Sequence, residues 1–163
     1  MTRVAPTPAS FDLEVPVLVI GAGASGMIAA LSATDAGGEV LVIEADPVPS
    51  GSTALSAGLI PAAGTRFQKE AGIEDDPSLL AADIQRKAHG ENPQALVDTL
   101  AENAAPCIEW LSDRHGLPFS VVTDFDYPGH ARRRMHGLPT RAGRELVDRL
   151  RSACEAEGID IIC

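Results

Sequence analysis

The 163-residue sequence predicts an α/β protein in which helices flank a parallel sheet. Residues 15–20 form a continuous apolar run, the pattern of a strand that is buried on both faces. A glycine-rich turn follows, and then an apolar stretch that ends at Gly37 and Gly38, as expected for a helix packed on a sheet. Residues 40–43 repeat the strand pattern and complete a β-α-β unit of about thirty residues.

The first half of the chain divides into an arm, a β-α-β unit and a long connection. Residues 1–14 are expected to form a flexible arm, and residues 15–163 a single domain. Residues 45–72 are rich in small residues and show no sustained period, so we expect a long functional loop there. The pair Asp76-Pro77 then predicts the start of a helix that runs to about His89.

The second half is expected to add two helices and two strands. Asn92-Pro93 predicts another helix start, for a helix that ends at Gly116 and is kinked or broken at Pro106. Residues 119–122 form a strand candidate, and residues 124–139 are expected to be irregular. Thr140 is the expected cap of a last helix to about residue 157, and residues 159–163 begin a strand at the edge of the sheet.

Composition excludes several classes of function. The net charge of −10 and the pI of about 4.7 argue against a nucleic-acid partner. No segment approaches the roughly 20 apolar residues of a membrane span. The three cysteines, Cys107, Cys154 and Cys163, lack metal-ligand spacing, which favours reduced thiols in the cytoplasm and no metal site.

Basic residues are concentrated in one stretch of this acidic chain. Residues 132–151 hold seven of the 13 lysines and arginines and only two acids, Glu145 and Asp148. Two interpretations stay open: a solvated helix face, or a local site for an anion such as a dicarboxylate or a phosphate.

A G-x-G-x-x-G motif joins the first strand to the first helix. Gly21 permits the tight turn, Gly23 lets the backbone approach a pyrophosphate, and Gly26 allows the helix to pack closely on the strand. The helix N-terminus offers free N–H groups and a partial positive charge to the phosphates. Strand, motif and helix in this order favour a dinucleotide site over a glycine-rich turn without a ligand.

An acid completes this pattern at the end of the second strand. Glu44 can accept hydrogen bonds from both hydroxyls of an adenosine ribose, and its charge would repel the 2′-phosphate of NADP. The G-x-G-x-x-G motif and this acid together form a dinucleotide-binding fingerprint, which does not separate FAD from NAD.

The loop at 50–65 carries a resemblance that does make this distinction. Its small residues and hydroxyls resemble the second FAD loop of the fumarate reductase/succinate dehydrogenase flavoprotein family. A second segment, 129–136, is similar to the G-H-S-x-x-R-x-H segment of that family, with Ala131 in place of the usual serine. The resemblance covers residues 15–163. The FAD-binding residues that fingerprint and resemblance together imply are Gly21, Gly23, Ala24, Ser25, Gly26, Glu44, Ala45, Ser52, Thr53, Ser56, Ala57 and Gly58.

The resemblance implies a Rossmann-like FAD-binding domain and non-covalent FAD. The respiratory members attach their flavin to a histidine at the position where Ser52 stands, and a serine hydroxyl cannot form that bond. His130 and His136 either lie near the flavin or an anionic substrate, or are loop histidines that hold the fold.

The function implied is that of an FAD-dependent oxidoreductase, which moves a hydride between flavin and an activated C–C bond. The substrate expected is a small anionic or conjugated carbonyl compound, and the electron partner and catalytic residues stay unidentified. The capping domain of the family is absent from these 163 residues, so we expect them to be inactive alone. The alternatives are a ketosteroid-type dehydrogenase, an NAD-binding Rossmann protein and a remnant without enzymatic activity.

Overall fold

The computed structural model describes residues 10, 11 and 13–163. Most of the predicted arm lies outside these residues, and the described part of it is exposed and without helix or strand. The elements are β1 (Val17–Ile20), α1 (Ala24–Asp35), β2 (Val40–Ile43), α2 (Gly51–Leu55), β3 (Ile60–Pro61), α3 (Arg66–Glu70), α4 (Pro77–Lys87), α5 (Gln94–His115), β4 (Ser120–Val121), β5 (Met135–Gly137), α6 (Gly143–Ala156) and β6 (Asp160–Ile162).

The predicted parallel sheet is confirmed. Its order is β1-β2-β6, with Val17 opposite Val40 and Leu41 opposite Asp160. Helices α1 and α6 pack on one face of it, where Val42, Leu31 and Leu150 are fully buried in the main apolar cluster. In the first strand, Val19 is partly buried and packs against this cluster, whereas its neighbours Leu18 and Ile20 are exposed.

The other face of the parallel sheet is open, which corrects the prediction that the first strand is buried on both faces. Leu18 is 50% exposed, Ile20 79% and Ile162 52%. Both helical connections of the described sheet lie on the opposite side, and successive side chains of a strand point to opposite faces. The outward-facing apolar side chains of the two edge strands, β1 and β6, consequently meet solvent, whereas Leu41 of the central strand β2 is buried.

A second, antiparallel sheet of order β3-β5-β4 was not predicted from the sequence. Strand β4 lies within the predicted strand at residues 119–122, but β3 and β5 lie in stretches for which we expected no regular structure, because residues 45–72 contain α2, β3 and α3, and residues 124–139 contain β5. Its strands have two or three residues each, too short to leave an alternating pattern in the sequence. The pairing of Ile60 with His136 joins segments that are distant along the chain.

The predicted helices exist, and three details of their ends or interiors differ. Asp76 caps α4 as expected, accepting hydrogen bonds from two backbone N–H groups of the first turn. Helix α5 runs unbroken through Pro106, and its cap residue is Pro93 rather than Asn92. Thr140 does not cap α6, because its N–H and hydroxyl both donate to Glu145. Within the described ranges, no helix is both long and apolar enough to span a bilayer.

Candidate functional site

The glycine-rich turn after β1 has the geometry that its sequence predicts. Gly21 adopts a φ of +101°, which favours glycine, and its N–H donates to the carbonyl oxygen of Ile43 on the next strand. A Cβ atom on Gly26 would overlap the carbonyl oxygen of Gly21. The turn is therefore tight, and α1 packs on it as closely as backbone atoms allow.

The N-terminus of α1 is open for an anion. Its cap residue, Gly23, contributes no side-chain hydrogen bond, and the N–H of Ala24 donates instead to Thr53 Oγ1 at 3.2 Å. The N–H groups of Ser25 and Gly26 have no acceptor among the described residues. These unpaired donors, together with the helix dipole, are what a pyrophosphate requires.

Glu44 is held in an ionised state beside this turn. Its carboxylate accepts N–H bonds from Ala22 at 2.7 Å, Ala45 at 2.7 Å and Asp46 at 3.0 Å. The N–H of Asp46, followed by that of Ala22, lowers the pKa of Glu44 below its ordinary value. A carboxylate has about four acceptor positions, so capacity is left for a ribose hydroxyl.

Helix α2 brings part of the loop at residues 50–65 to the N-terminus of α1. Thr53 faces α1 through the bond to Ala24, whereas Ser52 and Ala57 are exposed. Gly58 is buried with a φ of +62° and lies against Ala142, at the start of α6. Leu55, the last residue of α2, is 90% exposed.

The structure thus gathers the predicted residues on two sides of α2. The fingerprint, Glu44 and Thr53 meet at the N-terminus of α1. Ser56 lies at the far end of α2, where its carbonyl oxygen accepts the N–H of Gly143 at 2.8 Å. Nothing in the sequence motifs indicated Gly143, and the signal available was the pair of small residues Ala142-Gly143 near the start of the predicted last helix.

Arg134 and His136, the R-x-H part of segment 129–136, are fully buried. Arg134 is 0% exposed and forms a bidentate pair with Asp75, at 2.8 and 3.0 Å, and a bond to Asp83 at 2.6 Å. Asp83 also pairs with Arg86 at 2.6 Å, so the charges in the cluster balance. The two aspartates belong to the loop before α4 and to α4 itself, and sequence analysis did not select them as partners.

His136 is neutral and joins the Arg134 cluster to Thr65, at the end of the loop at residues 50–65. Burial lowers its pKa, and its Nδ1 lies 3.0 Å from the carbonyl oxygen of Arg134. Nδ1 therefore carries the proton, and Nε2 accepts from the hydroxyl of Thr65 at 2.8 Å. Thr65 in turn caps α3 in a capping box with Gln68. His136 is thus a histidine that holds the fold. His130 is half-buried on the loop before β5, and burial lowers its pKa.

The arginine-rich stretch does not form a free anion site. Six of its seven arginines pair with a carboxylate: Arg133, Arg134, Arg141, Arg144, Arg149 and Arg151. The remaining one, Arg132, donates to the carbonyl oxygens of Glu74 and Ala131. In the described part of the chain, no group of three or more His, Cys, Asp or Glu residues could hold a metal ion.

Comparison with known proteins identifies the family of the chain. The chain belongs to the FAD binding domain family, which it matches over residues 16–163, and the cofactor is FAD. Within that class it corresponds to the FAD-binding part of a flavoprotein of the fumarate reductase type. It is 34% identical over 148 residues to a probable fumarate reductase of Shewanella frigidimarina, and this match covers 88% of the chain and 24% of the relative.

Two solved structures extend the similarity to the fold. The open conformation of a flavocytochrome c3 fumarate reductase superposes with a TM-score of 0.81 at 32% identity, covering 90% of this chain and 26% of that one. A 3-ketosteroid-Δ4-(5α)-dehydrogenase from Rhodococcus jostii superposes with a TM-score of 0.77 at 26% identity, covering 98% and 39%. The chain spans about a quarter of the length of the curated relative described above.

Proposed function

We propose that this chain holds FAD for a reductase of the fumarate reductase type, with the pyrophosphate at the N-terminus of α1 and the adenosine ribose on Glu44. One observation carries the proposal: three separate segments converge on that N-terminus while two of its N–H groups stay free. When bound, the flavin supplies hydride transfer to or from an activated C–C bond. The residues named here bind and orient the cofactor.

The ribose assignment is tested by titrating FAD into wild type, Glu44→Ala and Asp46→Ala. Asp46 is the matched control, because it is an exposed acid two residues away whose side chain does not bond to the turn. Loss of charge-assisted hydrogen bonds should weaken binding of FAD to Glu44→Ala by at least about tenfold. Equal affinities for wild type and Glu44→Ala would remove Glu44 from the site.

The flavin is proposed to be non-covalent. Ser52 is exposed on the first turn of α2 and has no chemistry that would attach an isoalloxazine. Acid precipitation of the FAD-loaded protein should therefore release all yellow colour into the supernatant. Flavin fluorescence that stays with the washed pellet would contradict this assignment.

The 163 residues alone are proposed to lack substrate turnover. Reduction of a small anionic enoate needs clamped carboxylates and a proton donor, each usually worth several kcal/mol. The arginines of residues 132–151 are unsuited to this task, because six of them are already paired with carboxylates. Reduced viologen with fumarate or urocanate should show no oxidation above that given by free FAD, and clear substrate dependence would refute the proposal.

A ketosteroid-type dehydrogenase is the second candidate. The superposition on a 3-ketosteroid dehydrogenase over 98% of the chain favours it, because a conjugated ketone would be handled by the same kind of flavin domain. An FAD-loaded longer protein containing this chain that dehydrogenates a 3-ketosteroid in the presence of an artificial electron acceptor, but does not reduce fumarate, would select this candidate. The electron partner is left unassigned.

The compartment proposed is the cytoplasm. The three cysteines are all free thiols in the structure, and Cys154 is buried with its pKa raised by burial to about 11. Reduced thiols are usual in cytoplasmic proteins. Cell fractionation with an antibody to the chain tests this assignment.

A further inference from the structure

We infer that Gly143, at the first position of α6, is a positioning residue for the flavin site, because its missing side chain lets α6 dock on α2 and so places Thr53 at the N-terminus of α1. The inference rests on the proposed FAD site and adds a residue that lies outside the motifs. Its basis is a contact between backbone atoms that no larger residue would allow.

The first step is that α2 completes the N-termini of two longer helices. Neither α1 nor α6 has a side-chain cap of its own. The Thr53 hydroxyl accepts the N–H of Ala24 at the start of α1, and the Ser56 carbonyl oxygen accepts the N–H of Gly143 at the start of α6. One short segment therefore supplies hydrogen-bond acceptors to both helix starts.

The second step is that α2 does not hold its own position. It has five residues, none of them buried, and its cap residue Ser50 makes no side-chain hydrogen bond. Isolated helices of this length are unstable in water. The position of Thr53 must therefore come from what α2 packs against.

The third step is that α6 provides this support. Its buried side chains include Leu146, Val147 and Leu150, all 3% exposed or less, which fix the helix against the sheet. A Cβ atom on Gly143 would overlap the carbonyl oxygen of Thr53 and come within 2.7 Å of that of Ser56. Both obstacles are backbone atoms, so no rotamer change relieves the overlap. A larger residue must push α2 away from α6.

Gly143→Ala should change the Tm in opposite directions, depending on whether position 143 is an unconstrained helix position or one that must lack a side chain for α2 to pack. In an ordinary helix, alanine is favoured over glycine, so an unconstrained site would gain thermal stability. If α2 instead occupies the space that a Cβ atom would need, Gly143→Ala should lower the thermal stability. The direction of the Tm change alone therefore separates the two roles.

The decisive experiment is a double-mutant cycle on FAD affinity, read by quenching of flavin fluorescence. We expect Gly143→Ala to weaken FAD binding by at least about tenfold. Thr53→Val removes the acceptor with little change in shape. If Gly143 acts through Thr53, adding Gly143→Ala to Thr53→Val should weaken binding much less than it does in the wild type. Full additivity of the two losses would overturn the inference, as would wild-type affinity for Gly143→Ala.

Two further measurements keep the inference separate from the proposed function. Arg144→Ala is the control, because this neighbouring side chain is exposed and should leave FAD affinity unchanged. Hydrogen exchange without FAD should be faster in Gly143→Ala than in wild type at the N–H groups of Ala24 and of residue 143, which donate to the Thr53 hydroxyl and to the Ser56 carbonyl oxygen. If wild type binds no FAD, the proposed function fails, and exchange rates together with Tm still decide the role of Gly143. Unchanged exchange at Ala24 would overturn it.

Discussion

The two sheets of this protein are stabilised in different ways. The parallel sheet buries only apolar side chains and leaves Leu18 and Ile20 of its edge strand β1 exposed. The antiparallel sheet is bound to α3 and α4 through a buried polar cluster centred on Arg134. The fold thus combines a hydrophobic support for the glycine-rich turn with a polar connection that depends on specific partners.

The largest effect is expected at the buried guanidinium. Replacing Arg134 with methionine leaves Asp75 and Asp83 without their main partner inside the protein. Breaking a buried pair in this way should lower the free energy of unfolding by about 3–5 kcal/mol, and urea denaturation measures this change. The matched control is Arg133→Met, which removes only exposed contacts, namely the pair with Asp126 and a hydrogen bond to the carbonyl oxygen of Thr123, and should leave the urea midpoint close to wild type. Similar losses in the two variants would remove the contrast between buried and exposed pairs.

A second pair of variants compares the two faces of the parallel sheet. Leu31 on α1 is fully buried, whereas Leu18 on β1 is 50% exposed. Leu31→Ala should cost about 2–5 kcal/mol through lost contacts and the cavity that remains. Leu18→Ala should cost less than about 1 kcal/mol, because its side chain already meets water. Equal costs in thermal or urea unfolding would show that the outer face is covered in solution.

The smallest effect expected is a dependence of stability on acid pH. Burial alone would raise the pKa of Asp83, but the N–H of Ala131 and the guanidinium groups of Arg86 and Arg134 outweigh it, and the pKa is lowered. A lowered pKa in the folded state contributes stability that is complete above the unfolded value of about 3.9 and is lost as the pH falls through and below it. The urea midpoint of the wild type should decrease as the pH is lowered through that range, and Asp83→Asn should make this decrease less steep. An equally steep fall in that variant would assign it to other carboxylates.

Much of the candidate site was predictable because its signals are local. The fingerprint states which residues need no Cβ, and Gly21 and Gly26 show the positive φ and the close approach that this requires. The position of Glu44 follows from the end of a strand whose bounds, Val40–Ile43, match the apolar run. The expectation for residues 45–72 failed because α2, β3 and α3 are too short to produce a period.

The arginines show the limit of sequence reasoning most clearly. Arg132, Arg133 and Arg134 are adjacent and chemically identical in the sequence, yet one bonds to carbonyl oxygens, one to an exposed acid and one is fully buried. Their fates depend on Asp75, Asp83 and Asp126. Charge counting could suggest an anion site but could not pair each cation with its acid.

The β-α-β unit, the glycine turn, the acid after β2 and the start of α4 follow from the amino-acid sequence alone, since backbone conformation and hydrophobic period depend on near neighbours. The exposure of one side of β1, the burial of Arg134 and the contact of Gly143 with Thr53 arise from tertiary packing. Those outcomes depend on which distant segments pack together, because close packing allows one arrangement of volumes and partners that no local pattern records.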